Sequence, residues 1–333
     1  MNNKKILRRS LDLHFLRPDN GLWVYSLYIS FSKYFNLFLQ KKYKSLDLGC
    51  GDGTSTYIAS GGVVDKKFDV LMGAKTSKQN LTPSLKKSKS GSLRDSQGDF
   101  YDHYSNNYKK YCKIKNGFNK SFTYGIDWKK SLLQKAKLLN YYDKLDLQDC
   151  NKLPINLQDE SLHFVFSTIL YWLKKPKMVI RDINRVLKSD GIFIFTTPKE
   201  KILKSTIFHL IGKDFKNINR LDRGRHENWK RHAKKNSYWE KILKDSGFEI
   251  IETINLHPKL QIMFGETIIR TLVSAFKVLY KKLLPKNQKI FFEFKEKYND
   301  EMMLILSDFA DKKKYSQLEK DYTGWVCRKI KNI

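Results

Sequence analysis

A short apolar run, Lys44 to Leu48, passes directly into the turn Asp47-Leu48-Gly49-Cys50-Gly51-Asp52-Gly53. Three glycines at alternate positions remove Cβ atoms where the chain has to turn tightly and where a ligand would approach its backbone. Asp47 stands at the carboxyl end of the strand, the edge at which open α/β sheets bind their ligands. This turn constrains the chain to an α/β class. Several nucleotide binders share such a run, so its meaning depends on the elements C-terminal to it.

Those elements have the rhythm of a parallel sheet. Thr54 to Ala59 reads as a helix start that Gly61-Gly62 stops early. Phe122 to Ile126, Lys144 to Leu147, Leu162 to Ser167 and Gly191 to Thr197 read as strands, the last stopped by Pro198. Between them, Lys129 to Leu139 and Lys177 to Leu187 carry apolar residues on one helical face, the second through Val179, Ile180, Ile183 and Val186. Near-continuous apolar strands separated by amphipathic helices predict a doubly wound, mostly parallel sheet. Tyr238 to Leu243 then reads as a helix, Asp245-Ser246-Gly247 as its exit, and Phe248 to Ile254 as a strand. Gly324 to Cys327 is expected as the final strand, at or near an edge.

Three segments fall outside this alternation. Leu22 to Gln40 spaces its aromatics by three and four and predicts a helix ahead of the sheet. Val63 to Ser121 lacks sustained periodicity and reads as a long insertion, because the regular pattern resumes directly after it. Thr267 to Leu284 carries an apolar stripe that Pro285 ends. Core packing is the ordinary reading of the stripe; a cover over an apolar acceptor pocket and contact with an anionic membrane are the alternatives. The expected division is an N-terminal helical segment (1–43), a core with an insertion at 63–121 (44–198), and cap segments with the last strands (199–333).

The 333 residues are 41% hydrophobic and 14% aromatic, too apolar for a disordered chain. A formal charge of +30 suits nucleic acid, anionic lipid or an anionic small molecule without choosing among them. Scattered lysines and plentiful Asn read equally well as compositional bias. Cys50, Cys112, Cys150 and Cys327 are widely separated, which argues against zinc sites and a disulfide framework and for a reducing cytoplasm. No apolar run approaches the roughly 20 residues that span a bilayer, so a soluble or peripheral protein is expected.

Two further acids complete an ordered set with Asp47. Asp127 ends the next strand, where a carboxylate can accept both hydroxyls of a ribose, and Trp128 beside it is a candidate for an adenine face. Asp149 lies beyond the strand after that, with Cys150 next to it, and is placed to accept from an adenine amino group. Ser167 closes the fourth strand on the same crevice. A dinucleotide fingerprint would need glycine three residues after Gly51, where Thr54 stands, and its acid only about 20 residues on.

The runs LDLGCGDGTST, GID at 125–127, and QDCNKLPINLQDESLHFVFSTILYWL with INRVLKSDGIFIFTTP resemble the class I S-adenosylmethionine-dependent methyltransferases, and within them the quinone and small-molecule group. The resemblance implies a seven-stranded sheet with an antiparallel strand near one end and S-adenosylmethionine as cofactor. It implies that the glycine turn, with Asp47, Gly49, Cys50, Gly51 and Gly53, wraps the methionine portion. Asp127 would then hold the ribose, and Asp149 would meet the adenine. Three departures mark this chain: His163 where an acid is usual, Ser189-Asp190-Gly191 at a turn usually built of proline and glycines, and 80 residues between Asp47 and Asp127.

Methyl transfer from a sulfonium is largely positioning and exclusion of water, and no metal-ligand spacing accompanies the motif. Tyr171 and Trp172 come after the fourth strand and are acceptor-site candidates. Arg220, Arg223 and Arg225 offer forked donors to an anionic acceptor, and His226 is the candidate base. A solvated basic loop is the plainer reading of that stretch, and His163 reads as a core histidine. The expected activity is methylation of a small-molecule or lipid-like acceptor at oxygen or carbon. An RNA methyltransferase gripping its substrate through Lys86, Lys87, Lys89 and Arg94 is one alternative. A non-catalytic interaction protein on the same fold is the other.

Overall fold

A computed structural model of the chain describes residues 3–14, 17–65, 118–206, 225–265 and 287–331. The chain opens with helices α1 (Asn3–Leu13) and α2 (Pro18–Phe38). Next come β1 (Ser45–Leu48), α3 (Thr54–Ala59), β2 (Phe122–Asp127), α4 (Lys130–Lys137) and β3 (Tyr142–Leu147). β4 (Leu162–Ser167) leads through a 3-10 turn at Leu170–Trp172 to α5 (Pro176–Val186) and β5 (Leu187–Pro198). The remainder is α6 (Arg225–His232), α7 (Asn236–Asp245), β6 (Phe248–Pro258), α8 (Lys259–Phe264), α9 (Gln288–Ile305), α10 (Ser307–Ala310), α11 (Lys312–Gln317) and β7 (Lys320–Lys329).

The seven strands form one sheet in the order β3-β2-β1-β4-β5-β7-β6. β1 pairs in parallel with β2 on one side and β4 on the other, Asp47 lying between Gly125 and Phe166. The chain winds outward from β1 to β3 and then returns to β4, so the sheet reverses direction beside β1. A crevice opens at the carboxyl ends of strands at such a reversal, and the glycine turn sits on its lip. β7 runs antiparallel to both β5 and β6.

Each face of the sheet buries its own core. On one side Phe31 and Phe35 of α2 pack edge-on against Phe166, with Tyr57, Phe122 and Tyr322 in the same cluster. On the other, Val179, Ile180 and Ile183 of α5 and Trp239 of α7 cover Leu46, Phe193 and Trp325. Residues such as Phe164 and Val165 are consecutive and both fully buried, because a strand covered on both faces has no solvent side. A third cluster joins α1 and α2 to the helices before β7 through Leu7, Leu11, Tyr25, Met302 and Phe309.

The boundaries depart from the sequence reading where backbone chemistry intervenes. α2 begins at Pro18 rather than Leu22, since the first turn of a helix has no use for the donor that proline lacks. β3 starts at Tyr142, paired with Phe122. β5 starts at Leu187, running through the Ser189-Asp190-Gly191 turn with Asp190 at φ 62, a left-handed position that Asp tolerates. β7 is one strand in from the edge and buried except at Arg328, and β6 is the edge. α9, capped by the Asn287 side chain accepting from the Ile290 N–H, adds a helix that the sequence pattern does not predict. The stripe at 267–284 lies outside the described residues, as does most of the insertion. Among the described residues, no helix is long and apolar enough to cross a membrane.

Asn184 of α5 fastens the far end of the sheet, donating from Nδ2 to the carbonyls of Ser246 and Lys331, both at 3.0 Å. It is 1% exposed, so its loss strands the buried Ser246 carbonyl. Asn184→Leu is expected to lower stability by about 1–3 kcal/mol in denaturant unfolding.

Candidate functional site

Asp47 is the buried anchor of the glycine turn. Its Oδ2 accepts from Thr56 Oγ1 and from Tyr142 Oη, each at 2.7 Å, and the two hydroxyl oxygens lie 3.0 Å apart. Three elements, β1, α3 and β3, thus meet on one oxygen. Burial pushes the carboxyl up to about 6, against the pull of the two hydrogen bonds, and Asp127 adds to the rise. Thr56 and Tyr142 are not among the sequence candidates. Nothing in local spacing marks Tyr142, which reaches Asp47 only because β3 lies two strands away.

The three glycines divide their work. The Gly49 and Cys50 N–H groups both donate to the Ile126 carbonyl, tying the turn to β2. A Cβ on Gly49 would lie 2.4 Å from Ile169, and one on Gly53 would lie 2.7 Å from the Tyr142 ring. Gly51, at φ 59, would meet nothing within 4 Å. Two glycines are therefore demanded by packing, and the middle one turns an open backbone face outward.

Asp127 borders that face. Its Oδ2 accepts from the Gly51 N–H at 3.0 Å and its Oδ1 from the Lys129 N–H at 2.9 Å. Trp128 is 38% exposed, with the Lys129 ammonium 5.1 Å from its ring centroid. Asp149 is half-buried and its Oδ1 accepts from the backbone and side chain of Asn151, shaping the loop after β3. Cys150 is buried, its thiol pushed up to about 12 by burial and then by Asp127 and Asp149. Cys50 is likewise buried and raised, with Asp47, Asp127 and Asp52 adding to the effect. Ser167 is fully buried and donates to the Leu48 carbonyl at 3.0 Å, stitching β4 to β1 beneath the turn.

These acids make the crevice lip negative in a chain of net charge +30. A lip of carboxylates disfavours the pyrophosphate of a dinucleotide and favours a cation such as a sulfonium. The residues present fit S-adenosylmethionine: an open backbone at Gly51, a carboxylate beside it and a half-exposed indole next in line.

On the acceptor side, Tyr171 is buried and Trp172 half-buried in the 3-10 turn after β4. α6 carries Trp229, whose Nε1 donates to Tyr322 Oη at 2.9 Å, and the Tyr171 ring stands edge-on to Tyr322 at 5.9 Å. His226 is half-buried in the first turn of that helix. The fold thus carries His226 on a helix anchored to the same aromatic wall as Tyr171. Arg220 and Arg223 lie outside the described residues, as does the side chain of Arg225. His163 is half-buried rather than in the core, its Nδ1 accepting from the Lys44 N–H at 3.0 Å. Only a neutral ring can accept there, and burial with Lys188 and Lys44 nearby lowers its pKa accordingly.

Residues 109–247 match the family model described as a methyltransferase domain. The match begins after the glycine turn and ends at the exit of α7. No curated protein sequence matches the chain. Similar solved structures include an S-adenosylmethionine-dependent methyltransferase from Mesorhizobium loti, 12% identical over 91% of this chain and 97% of that one, TM-score 0.41. The YcgJ protein of Bacillus subtilis is 12% identical over 91% and 96%, TM-score 0.39. The [4+2]-cyclase SpnF is 13% identical over 90% and 81%, TM-score 0.42. The chain thus carries a region similar to a methyltransferase domain.

The raised carboxyl of Asp47 has a consequence for stability. A folded-state value above the unfolded one contributes stability that is complete below about 4 and is lost as the pH rises through about 6. Asp47→Asn, which does not ionise, is expected to gain stability relative to the natural protein as pH rises from 4 to 7. Thermal midpoints of the two proteins across that range check the sign.

Proposed function

We propose that the chain transfers the methyl group of S-adenosylmethionine to a small-molecule or lipid-like acceptor, at oxygen or carbon. The open backbone at Gly51, bordered by Asp127, is the observation that carries the donor half. In this reading Gly49, Cys50, Gly51 and Gly53 hold the methionine portion, with Asp47 acting behind them as the buried anchor. Asp127 accepts from the ribose hydroxyls, Trp128 lies along the adenine, and Asp149 accepts from its amino group. Cys150 and Ser167 support the crevice from below.

The acceptor half rests on Trp172, half-buried and packed against Tyr171, with the buried rings of Trp229 and Tyr322 supporting them from behind. Arg220, Arg223 and Arg225 are the candidate partners for an anionic group on the acceptor. The bound sulfonium supplies a methyl carbon whose departing sulfur becomes neutral. The chain's task is then to align the acceptor atom with that carbon, exclude water, and take up the acceptor's proton, for which His226 is the candidate.

Two measurements test these halves. Asp127→Asn is expected to weaken binding of S-adenosylmethionine by about 10- to 100-fold in calorimetry, the worth of hydrogen bonds to a charged acceptor; unchanged affinity removes Asp127 from the site. Incubation with isotope-labelled cofactor, then mass spectrometry of small molecules, lipids and RNA, should place the label in the first two. Label recovered only in RNA replaces the acceptor reading. On the acceptor so identified, His226→Gln should lower turnover and leave cofactor affinity intact.

A further inference from the structure

The two helices that lead into the parallel strands β5 and β6 begin alike. Lys174-Lys175-Pro176-Lys177-Met178 opens α5, and Lys234-Lys235-Asn236-Ser237-Tyr238 opens α7. In each, the carbonyl of the second lysine accepts the first helical bond, from the Met178 N–H at 3.0 Å and the Tyr238 N–H at 3.1 Å, and no side chain caps the turn. In each, the third helical residue leaves a large apolar side chain in the open, Met178 at 46% and Tyr238 at 44% exposure. Helix amino ends favour acids, and a cation there opposes the backbone dipole. Two dilysines at such ends work against folding, which points to a role outside it.

Both dilysines stand on the rim of the sheet's carboxyl edge. The Lys174 N–H donates to Asn151 Oδ1 at 2.8 Å, on the loop after β3, and Lys234 bridges to Lys199, the residue that follows β5. α6 packs on the 3-10 turn just before Lys174 and ends just before Lys234, so the two pairs flank one junction. Arg231 of α6 adds a fifth cation. Lys174, Lys175, Arg231 and Lys235 are exposed and Lys234 is half-buried; among the described residues none of the five has an acidic partner. Glu227 and Asp245 are engaged by Lys230 at 3.0 Å and Lys177 at 3.8 Å. Cations therefore gather outside a crevice whose own lip is acidic.

We propose that this rim docks the chain on an anionic bilayer surface, with Met178 and Tyr238 entering the headgroup region. Lysines draw anionic headgroups as point charges, without fixed geometry, and the two exposed side chains add apolar burial beside them. A nucleic acid would draw on forked donors and stacking rings, and the rim offers one of each, Arg231 and Tyr238. Docking stands on the rim alone; that it turns the crevice toward a lipid-like acceptor rests on the function proposed above.

Sedimentation of the full chain with phosphatidylcholine vesicles, with and without phosphatidylglycerol, tests this. Lys175→Glu with Lys235→Glu reverses two charges on the rim. Lys188→Glu with Lys244→Glu makes the same change at the opposite edge, where β5 starts and α7 ends and both lysines are exposed. The natural protein and the Lys188/Lys244 variant are expected to bind acidic vesicles alike. The rim variant should bind them about tenfold or more weakly, with its thermal midpoint kept or raised because a carboxylate suits a helix amino end. Met178→Ser with Tyr238→Ser should remove the part of the binding that survives high salt, and serves if the rim variant does not fold. Equal weakening by the two charge variants overturns the proposal, since net charge alone then explains the binding. So does a natural protein that stays in solution with acidic vesicles, or a rim variant that loses RNA in a gel shift and keeps the vesicles. Calorimetry of the natural protein with S-adenosylhomocysteine reads the donor site separately, so a failure of docking and a failure of the cofactor reading are distinguishable.

Discussion

The buried carboxylate of Asp47 is the interaction on which the site depends. One oxygen receives the Thr56 and Tyr142 hydroxyls, so β1, α3 and β3 are held to a common point beneath the glycine turn. With α3 fixed there, Gly53 has to sit against the Tyr142 ring and Gly49 against Ile169, and neither place has room for a side chain. The turn is then closed from outside by the Gly51 N–H donating to Asp127. Gly51 is left as the residue whose missing side chain the packing does not demand. An ionisable group so deep lies in a costly environment, and its carboxyl rises because the two hydrogen bonds only partly offset its burial.

Charge is distributed against the average of the chain. Lysines dominate the composition, while Asp47, Asp52, Asp127 and Asp149 gather around one edge of the sheet. A global excess of +30 acts over the surface and is screened within about 8–10 Å at physiological salt. The field at the crevice is therefore set by the acids that line it. A cationic methyl donor fits that field, and the net charge bears on the donor very little.

The helices on one side of the sheet supply what the strands do not. α1, α2 and α9 share a buried cluster, and Asn299 of α9 donates to Asp12 of α1 at 2.9 Å. That contact joins opposite ends of the chain. The aromatic wall is assembled in the same way. Tyr171 leaves β4, Trp229 comes from α6 and Tyr322 from β7, and a hydrogen bond between the last two fixes the wall's geometry. His163 shows a smaller substitution, an imidazole accepting the Lys44 N–H at the start of β4, where an acid is usual in the family it resembles.

Alternation of apolar strands and amphipathic helices, the glycine turn and the order Asp47, Asp127, Asp149 were all legible, because each is written in residues close together or at regular spacing. Leu162–Ser167 and Thr54–Ala59 fall where that spacing puts them. The count of seven strands and the antiparallel one near the end were implied only by the resemblance, the strand order came from the structure, and α9 escaped because an N-cap is a weak local signal. Tertiary structure alone decided that Ser167 is a stitch between strands, that Asp149 shapes its own loop, and that Tyr142 holds Asp47. Sequence determines which backbone conformations and buried faces are available, through terms acting over a few residues. Which side chain meets which across the sheet depends on strand neighbours and helix docking, contacts that residues 86 or 95 apart make only once the fold has closed.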